Sequence, residues 1–245
     1  HGRDYNSTIL KKKKNTTYLF SKLDYNLNLD EFTESKINFK IEKVNNDTFL
    51  KIFDNSLLEE TNLLKPQNSN ILNSSLIATL NRRDLTFITG FESYETLSKN
   101  SGDRYQYILP YYKFNKNIIS NFNHGTFNFN SNGKNDLSNT NQLKTDIIND
   151  ISFTSFDQFS FQGLKNKLQI NLKNINSVGK NTANYKSSPK VELSSIFNFQ
   201  SSYPLQKKVN NKLNILTPKA SFMFNTKKKK NHSSTKKVIN ANNLF

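Results

Sequence analysis

Residues 190–199 read KVELSSIFNF, and their period decides the fold class. Val191, Leu193, Ser195, Phe197 and Phe199 alternate with mostly polar partners. A strand turns successive side chains to opposite faces, so a two-residue period marks a strand with one apolar and one polar side. A helix would need apolar residues three and four apart. The same period recurs along the chain. Leu85, Phe87, Thr89 and Phe91 share a face in LTFITGF (85–91), as do Leu168, Ile170 and Leu172 in KLQINLKNI (167–175). KINFKIE (36–42) groups Ile37, Phe39 and Ile41, GTFNFNSNG (125–133) groups Phe127 and Phe129, and ASFMFN (220–225) groups Ala220, Phe222 and Phe224. YLFSKLDYNLNL (18–29) alternates too, with a slip of phase after Phe20 that predicts a bulge.

Clusters of Asn, Ser, Gly and Lys separate these runs: NNDT (45–48), KNSGD (99–103), NSNGKNDLSNTN (130–141) and NSVGKNTANYKSS (176–188). Their composition predicts turns and loops. The pattern predicts an antiparallel all-β chain of roughly ten to twelve strands, many near the roughly 9–11 residues of a tilted membrane strand. One short helix is expected over SLLEETNLLKP (56–66), where Ser56 and Glu59 form a capping box and Pro66 stops the run. Pro110, Pro189 and Pro218 head alternating runs, where a strand can spare an N–H, and Pro204 closes the strand before it. GDRYQYILPYYKF (102–114) therefore reads as a loop entering a strand bent at Pro110, with Tyr105, Tyr107, Leu109 and Tyr111 on one face.

The 245 residues hold one large domain or two small ones. Only 34% are hydrophobic and the mean hydropathy is −0.71, polar for a globular domain. There are 40 asparagines, yet 12% of the residues are aromatic, which argues against disorder. The net charge of +16 points to a polyanionic partner: nucleic acid, anionic lipid or acidic glycan. Lys11 to Lys14 and Lys227 to Lys230 are runs of four, read first as solvated loops. Without cysteine there is no disulfide, thiolate metal site or cysteine nucleophile. No apolar run reaches the about 20 residues of a transmembrane helix. The polar start at His1, without an initiator Met, reads as a piece of a longer protein.

Catalytic chemistry finds no residues to stand on. His1, His124 and His232 lie in polar loops without a second ligand at metal spacing. The glycines are single and turn-like, and Asp146 and Asp150 are paired by spacing only. We therefore expect no enzyme, no metal and no cofactor. YYKFNKN (111–117) interleaves aromatics with lysines, as a nucleic-acid surface would. A basic β-rich nucleic-acid-binding protein, such as an organellar ribosomal protein, is thus the alternative reading, and an extracellular β-rich adhesin a third. Against the first stand the scarcity of Arg and the lack of any RNA-binding fingerprint. Strict alternation of aromatics also suits a lipid-facing surface with tyrosines in its interfacial girdle.

Four stretches carry a resemblance. NNDTFLKIFDNSLLEET (45–61) followed by ILNSSL (71–76), then DRYQYILPYYKF (103–114), then LTPKASFMFN (216–225) ahead of NANNLF (240–245), resemble in this order the barrel segment of the LptD, or organic-solvent-tolerance, family of lipopolysaccharide-assembly proteins. The order and spacing of the motifs carry the likeness over nearly the whole chain. It implies a large antiparallel transmembrane β-barrel in the outer membrane of a Gram-negative cell. It also implies a lipoprotein plug of the LptE type, a periplasmic bridge that delivers lipopolysaccharide, and insertion of that lipid into the outer leaflet without bond chemistry. Nucleic acid is not among the implied partners. Residues 1–245 would be a single open, curved segment of the barrel domain, with the periplasmic N-terminal domain, the barrel ends and the gate strands outside it. Asn46, Asp47, Phe49 and Leu50, then Phe53, Asp54, Ser56 and Leu57, match the first signature. Asp103, Arg104, Tyr105, Leu109 and Pro110 match the second, and Leu216, Thr217 and Pro218 the third. The resemblance gives all of them architectural roles. Two departures stand beside it: the family's usual disulfide cysteines are absent, and Ala241, Asn243 and Phe245 lack the alternating aromatics of an outer-membrane end signal.

Overall fold

The structure, a computed structural model, describes residues 17–52, 64, 66–99, 102–120, 124–139, 141–160, 162–182, 185–209 and 212–226. Among them the chain runs through β1 (Tyr18–Asn26), β2 (Glu34–Val44), α1 (Phe49–Ile52), β3 (Ile71–Arg82), β4 (Leu85–Thr96), β5 (Tyr105–Ser120) and β6 (Gly125–Ser138). It continues through β7 (Gln142–Ser155), β8 (Gln158–Phe159), β9 (Lys165–Lys180), β10 (Lys190–Ser202), β11 (Leu205–Val209), β12 (Lys212–Leu216) and β13 (Lys219–Asn225). One antiparallel sheet takes the order β1-β2-β3-β4-β5-β6-β7-β9-β10-β13, with β8 on the flank of β9, while β11 and β12 form a separate hairpin. The sheet is not closed; β1 and β13 are its edges. The all-β, antiparallel expectation holds, with thirteen described strands, eleven of them in the main sheet.

Three local expectations are corrected. The expected bulge in β1 is absent: its ladder with β2 runs unbroken from Tyr18↔Val44 to Asn26↔Lys36. The apparent slip arises because Tyr18 and Phe20 turn to the opposite side from Leu19 and Leu23, where Tyr18 stacks on Phe49 at 5.1 Å between ring centroids. Residues 130–138, expected to be loop, belong to β6, and residues 176–180 belong to β9. Turn-forming residues adopt a strand here because the ladders on both sides pair their backbone, and context outweighs β-propensity. Their side chains bond across the strands: Ser131 Oγ donates to Asn149 Oδ1 at 2.7 Å and Thr145 Oγ1 to Asn135 Oδ1 at 2.7 Å. The helix expected over 56–66 falls, apart from Leu64 and Pro66, outside the described residues; the described helix is the four-residue α1.

The third correction concerns β5. The ladder to β4 passes from Gly90↔Tyr111 to Glu92↔Ile108, and the ladder to β6 from Tyr111↔Lys134 to Ile108↔Asp136. Leu109 and Pro110 together therefore oppose one residue on each neighbour, Phe91 and Asn135. That is a bulge, and its extra residue reverses the phase of the strand. Tyr105 and Tyr107 share a face with Tyr112 and Phe114, while Tyr111 points to the other side with Lys113. The grouping of Tyr105, Tyr107 and Tyr111 on one face is thus wrong. The Leu109–Pro110 peptide bond is cis.

Directly opposed residues in a ladder share a face, so the register sorts every strand. One face carries Ile37, Phe39 and Ile41 of β2, Phe87 and Phe91 of β4, Phe127 and Phe129 of β6, Ile170 and Leu172 of β9, and Phe197 and Phe199 of β10. The other carries Lys36, Asn38 and Lys40, then Asn128, Asn130 and Asn132, then Asp146 and Asp150, then Asn171 and Lys173. No described helix covers the apolar face, and its side chains stay open: Phe222 is 68% and Leu193 62% exposed. The described buried hydrophobics are five: Val44, Phe49, Leu50, Leu72 and Leu97.

The apolar belt crosses the strands obliquely. A line at right angles to the strands from Phe39 passes Leu76, Phe91, the bulge, Asn135 and Thr145, and reaches Val178 on β9. On β9 the belt centres instead on Ile170, eight residues away. At the rise of an antiparallel strand this is roughly 27 Å, gained over six strand spacings of about 4.8 Å each.

Candidate functional site

The sheet offers three places where chemistry gathers: a cluster at each end, and the polar face between them. The β1–β2, β3–β4, β5–β6 and β10–β13 connections lie at a first end, and the β2–β3, β4–β5, β6–β7 and β9–β10 connections at a second.

At the second end β2 and β3 part. Their ladder stops at Lys40↔Ser75, although each continues to pair with its other neighbour. Side chains replace the missing rungs. The Glu42 N–H donates to Ser74 Oγ at 3.0 Å, Ser74 Oγ donates to Glu42 O at 3.2 Å, and the Asn73 N–H donates to Glu42 Oε2 at 2.7 Å. α1 lies in the connection that follows. Asn46, 1% exposed, accepts from the Thr48 N–H at 3.0 Å and the Thr48 hydroxyl at 2.8 Å, which fixes the turn into α1. Phe49 and Leu50 then pack with Val44, Leu72 and Leu97.

The second signature meets the first here. Arg104, 3% exposed, donates from Nε to Glu95 Oε1 at 2.7 Å and from Nη1 to Leu97 O at 3.3 Å. The Lys43 ammonium reaches Glu95 Oε2 at 2.6 Å and the Tyr105 hydroxyl at 3.2 Å. Leu97 sits between the two signatures, in the apolar cluster on one side and bonded to Arg104 on the other. Asn46, Asp47, Phe49, Arg104 and Tyr105 are thus brought to one end; Asp103 is exposed in the turn before β5, and Leu109 and Pro110 form the bulge. Phe53, Asp54, Ser56 and Leu57 lie outside the described residues. Leu216, Thr217 and Pro218 lie at the first end, where Pro218 O accepts from the Tyr203 N–H at 3.0 Å.

The polar face is a field of hydrogen bonds and exposed ion pairs. Lys173 stands 3.5 Å from Asp150. Tyr185, from the β9–β10 connection, folds onto this face and donates to Asp146 Oδ2 at 2.7 Å. The bond to the Asp146 carboxylate, with burial adding to it, pushes Tyr185 up to about 12. Gly179 makes room, since a Cβ there would lie 2.3 Å from the Tyr185 Cβ. At the first end the Arg82 guanidinium and then the Lys116 ammonium, 2.7 and 2.6 Å away, hold the Asp84 carboxyl well below the usual carboxylate range.

Among the described residues no three His, Cys, Asp or Glu side chains gather as metal ligands. His124 is exposed in the turn before β6 with φ of 51°. No described helix is long and apolar enough to cross a membrane, which leaves strands unaddressed. The chain matches no family model and no curated protein. Sequence reasoning missed the buried carboxylates Glu42 and Glu95, because each looks like an exposed charge until the partner strand brings its cation or its backbone N–H.

Proposed function

We propose that this chain is a segment of an outer-membrane β-barrel that carries lipopolysaccharide into the outer leaflet of a Gram-negative cell. The observation that supports a membrane setting is the uncovered apolar belt opposite a polar face, carried across ten strands. In water such a belt exposes Phe, Leu and Ile at a cost of about 25 cal/mol per Å². In hydrocarbon the same surface is stable, and ladder pairing satisfies the backbone as a bilayer requires. The drift of eight residues over six strand spacings equals a tilt of about 40°, within the range of about 35–45° for membrane barrels.

In this reading the belt faces lipid, the polar face lines the interior, and β1 and β13 each pair with a further strand of the barrel. Tyr105 and Tyr107, stacked at 6.0 Å between centroids on the belt side near the second end, stand where a girdle belongs. The lipopolysaccharide assignment rests on the ordered signatures at 45–61, 103–114 and 216–225, and on the basic charge, which suits a phosphate-bearing lipid. Partners are then an LptE-type plug and a periplasmic bridge. In YYKFNKN, Tyr112 and Phe114 share the belt side with Lys116, while Tyr111 shares the polar face with Lys113, so the stretch is split between two faces rather than presenting one basic aromatic surface. Depletion of the full-length protein tests the assignment. Loss of lipopolysaccharide from the cell surface is the expected result, and normal surface levels would contradict it.

A further inference from the structure

The third signature points to a site at the first end, on the polar face. Lys165, Ser202 and Lys219 stand in one row across β9, β10 and β13, and Lys167 and Gln200 stand in the next. Around them is a cavity of about 490 Å³, which Thr217 also lines. Asp157 neutralises Lys165 at 2.7 Å. Lys167 and Lys219 line the same cavity and form no ion pair among the described residues. Lysines held together this way repel one another, and an anion between them removes the repulsion.

The remaining groups say what kind of anion. The Gln200 amide and the Thr217 hydroxyl can both donate and accept, as sugar hydroxyls require, and the Ser202 hydroxyl, which donates to Lys165 O at 3.4 Å, can accept. The Phe159 ring, 68% exposed, borders the cavity and offers an apolar face for sugar C–H groups. The volume falls within the roughly 300–1,000 Å³ of small-molecule sites. We propose that this cavity binds a phosphorylated saccharide, with Lys167 and Lys219 on the phosphate, Gln200, Ser202 and Thr217 on the hydroxyls, and Phe159 beneath the sugar. The proposal deepens the function above and rests on it for one point only, that the polar face is the barrel interior. The Leu216-Thr217-Pro218 signature then acquires a local role, because the Pro218–Tyr203 backbone bond closes the chain behind Thr217.

The test is titration calorimetry of the whole protein, extracted in detergent, with glucose 6-phosphate, glucose and inorganic phosphate as separate probes. Glucose 6-phosphate should bind tightest of the three. Lys167→Gln and Lys219→Gln should each weaken it about tenfold, the loss of one charge-assisted hydrogen bond. Lys22→Gln, a cation on the first strand, should leave it unchanged. Unaltered binding in both cavity variants, or no binding at all, overturns the proposal. Inorganic phosphate binding as tightly as the sugar phosphate overturns the saccharide assignment. The titration reads binding without a membrane, so its failure is separate from failure of the membrane reading, which thiol labelling of the two faces decides.

Discussion

Arg104 and Glu95 form an almost fully enclosed ion pair, 2.7 Å apart, with side chains 3% and 8% exposed. The pair ties the second signature to β4, which ends one residue before Leu97 of the cluster built on the first. Removing one partner of a buried pair leaves a charge without compensation and costs about 3–5 kcal/mol. Arg104→Ala and Glu95→Gln should therefore each lower the urea midpoint of the protein folded in lipid vesicles by a large step. Lys43→Ala removes a cation that is 54% exposed and should cost about 1 kcal/mol or less. Equal effects at Lys43 and Arg104 would contradict the structural role given to the second signature.

Gly90 tests the packing beside the bulge. An added Cβ would lie 2.7 Å from the Leu76 carbonyl oxygen and 3.2 Å from the Tyr111 ring, and a backbone atom cannot step aside cheaply. Gly90→Ala should destabilise by about 1–3 kcal/mol. Gly102→Ala, where nothing lies within 4 Å, is the control and should change stability by about 0.5 kcal/mol or less. Thermal or urea unfolding of the two variants side by side checks the difference.

The hold of Tyr185 on the polar face depends on pH in a defined direction. Asp146 keeps the phenol protonated, so its folded value of about 12 lies above that of a free tyrosine. A free tyrosine titrates near about 10. The bond is fully formed below pH about 10 and is lost as pH rises towards about 12. The difference in tyrosinate absorbance between the protein and its Tyr185→Phe variant should isolate one phenol that ionises well above a free tyrosine. A difference that titrates near the free tyrosine value of about 10 would contradict the bond to Asp146.

Period-two reading succeeded where one face of a strand is continuously apolar, as at Val191 to Phe199. It failed from Asn130 to Ser138, whose Asn, Ser, Gly and Lys residues carry no hydrophobic alternation and become a strand only because β5 and β7 pair with them. The reversal of phase at Leu109 and Pro110 needs the count of residues on two neighbouring strands, which no local pattern contains. The joining of the Phe49 and Leu50 cluster to Arg104 through Leu97 is likewise a product of the sheet order. The cavity lysines were legible only as charges; Lys167 and Lys219 line one cavity because β10 pairs with both β9 and β13.

The proposed barrel would place the two faces of one sheet in different solvents. Residues 1–245 hold no cysteine, so a thiol placed in them is the only one in this segment, and the unsubstituted protein gives the labelling background. Phe127, Asn128, Phe129 and Asn130 alternate along β6, with the phenylalanines on the belt and the asparagines opposite. Each is replaced by Cys in the full-length protein in its own membrane and exposed to a water-soluble maleimide. The account predicts labelling at 128 and 130, and protection at 127 and 129 that is lost when detergent replaces the bilayer. Equal labelling of all four in the intact membrane would contradict it.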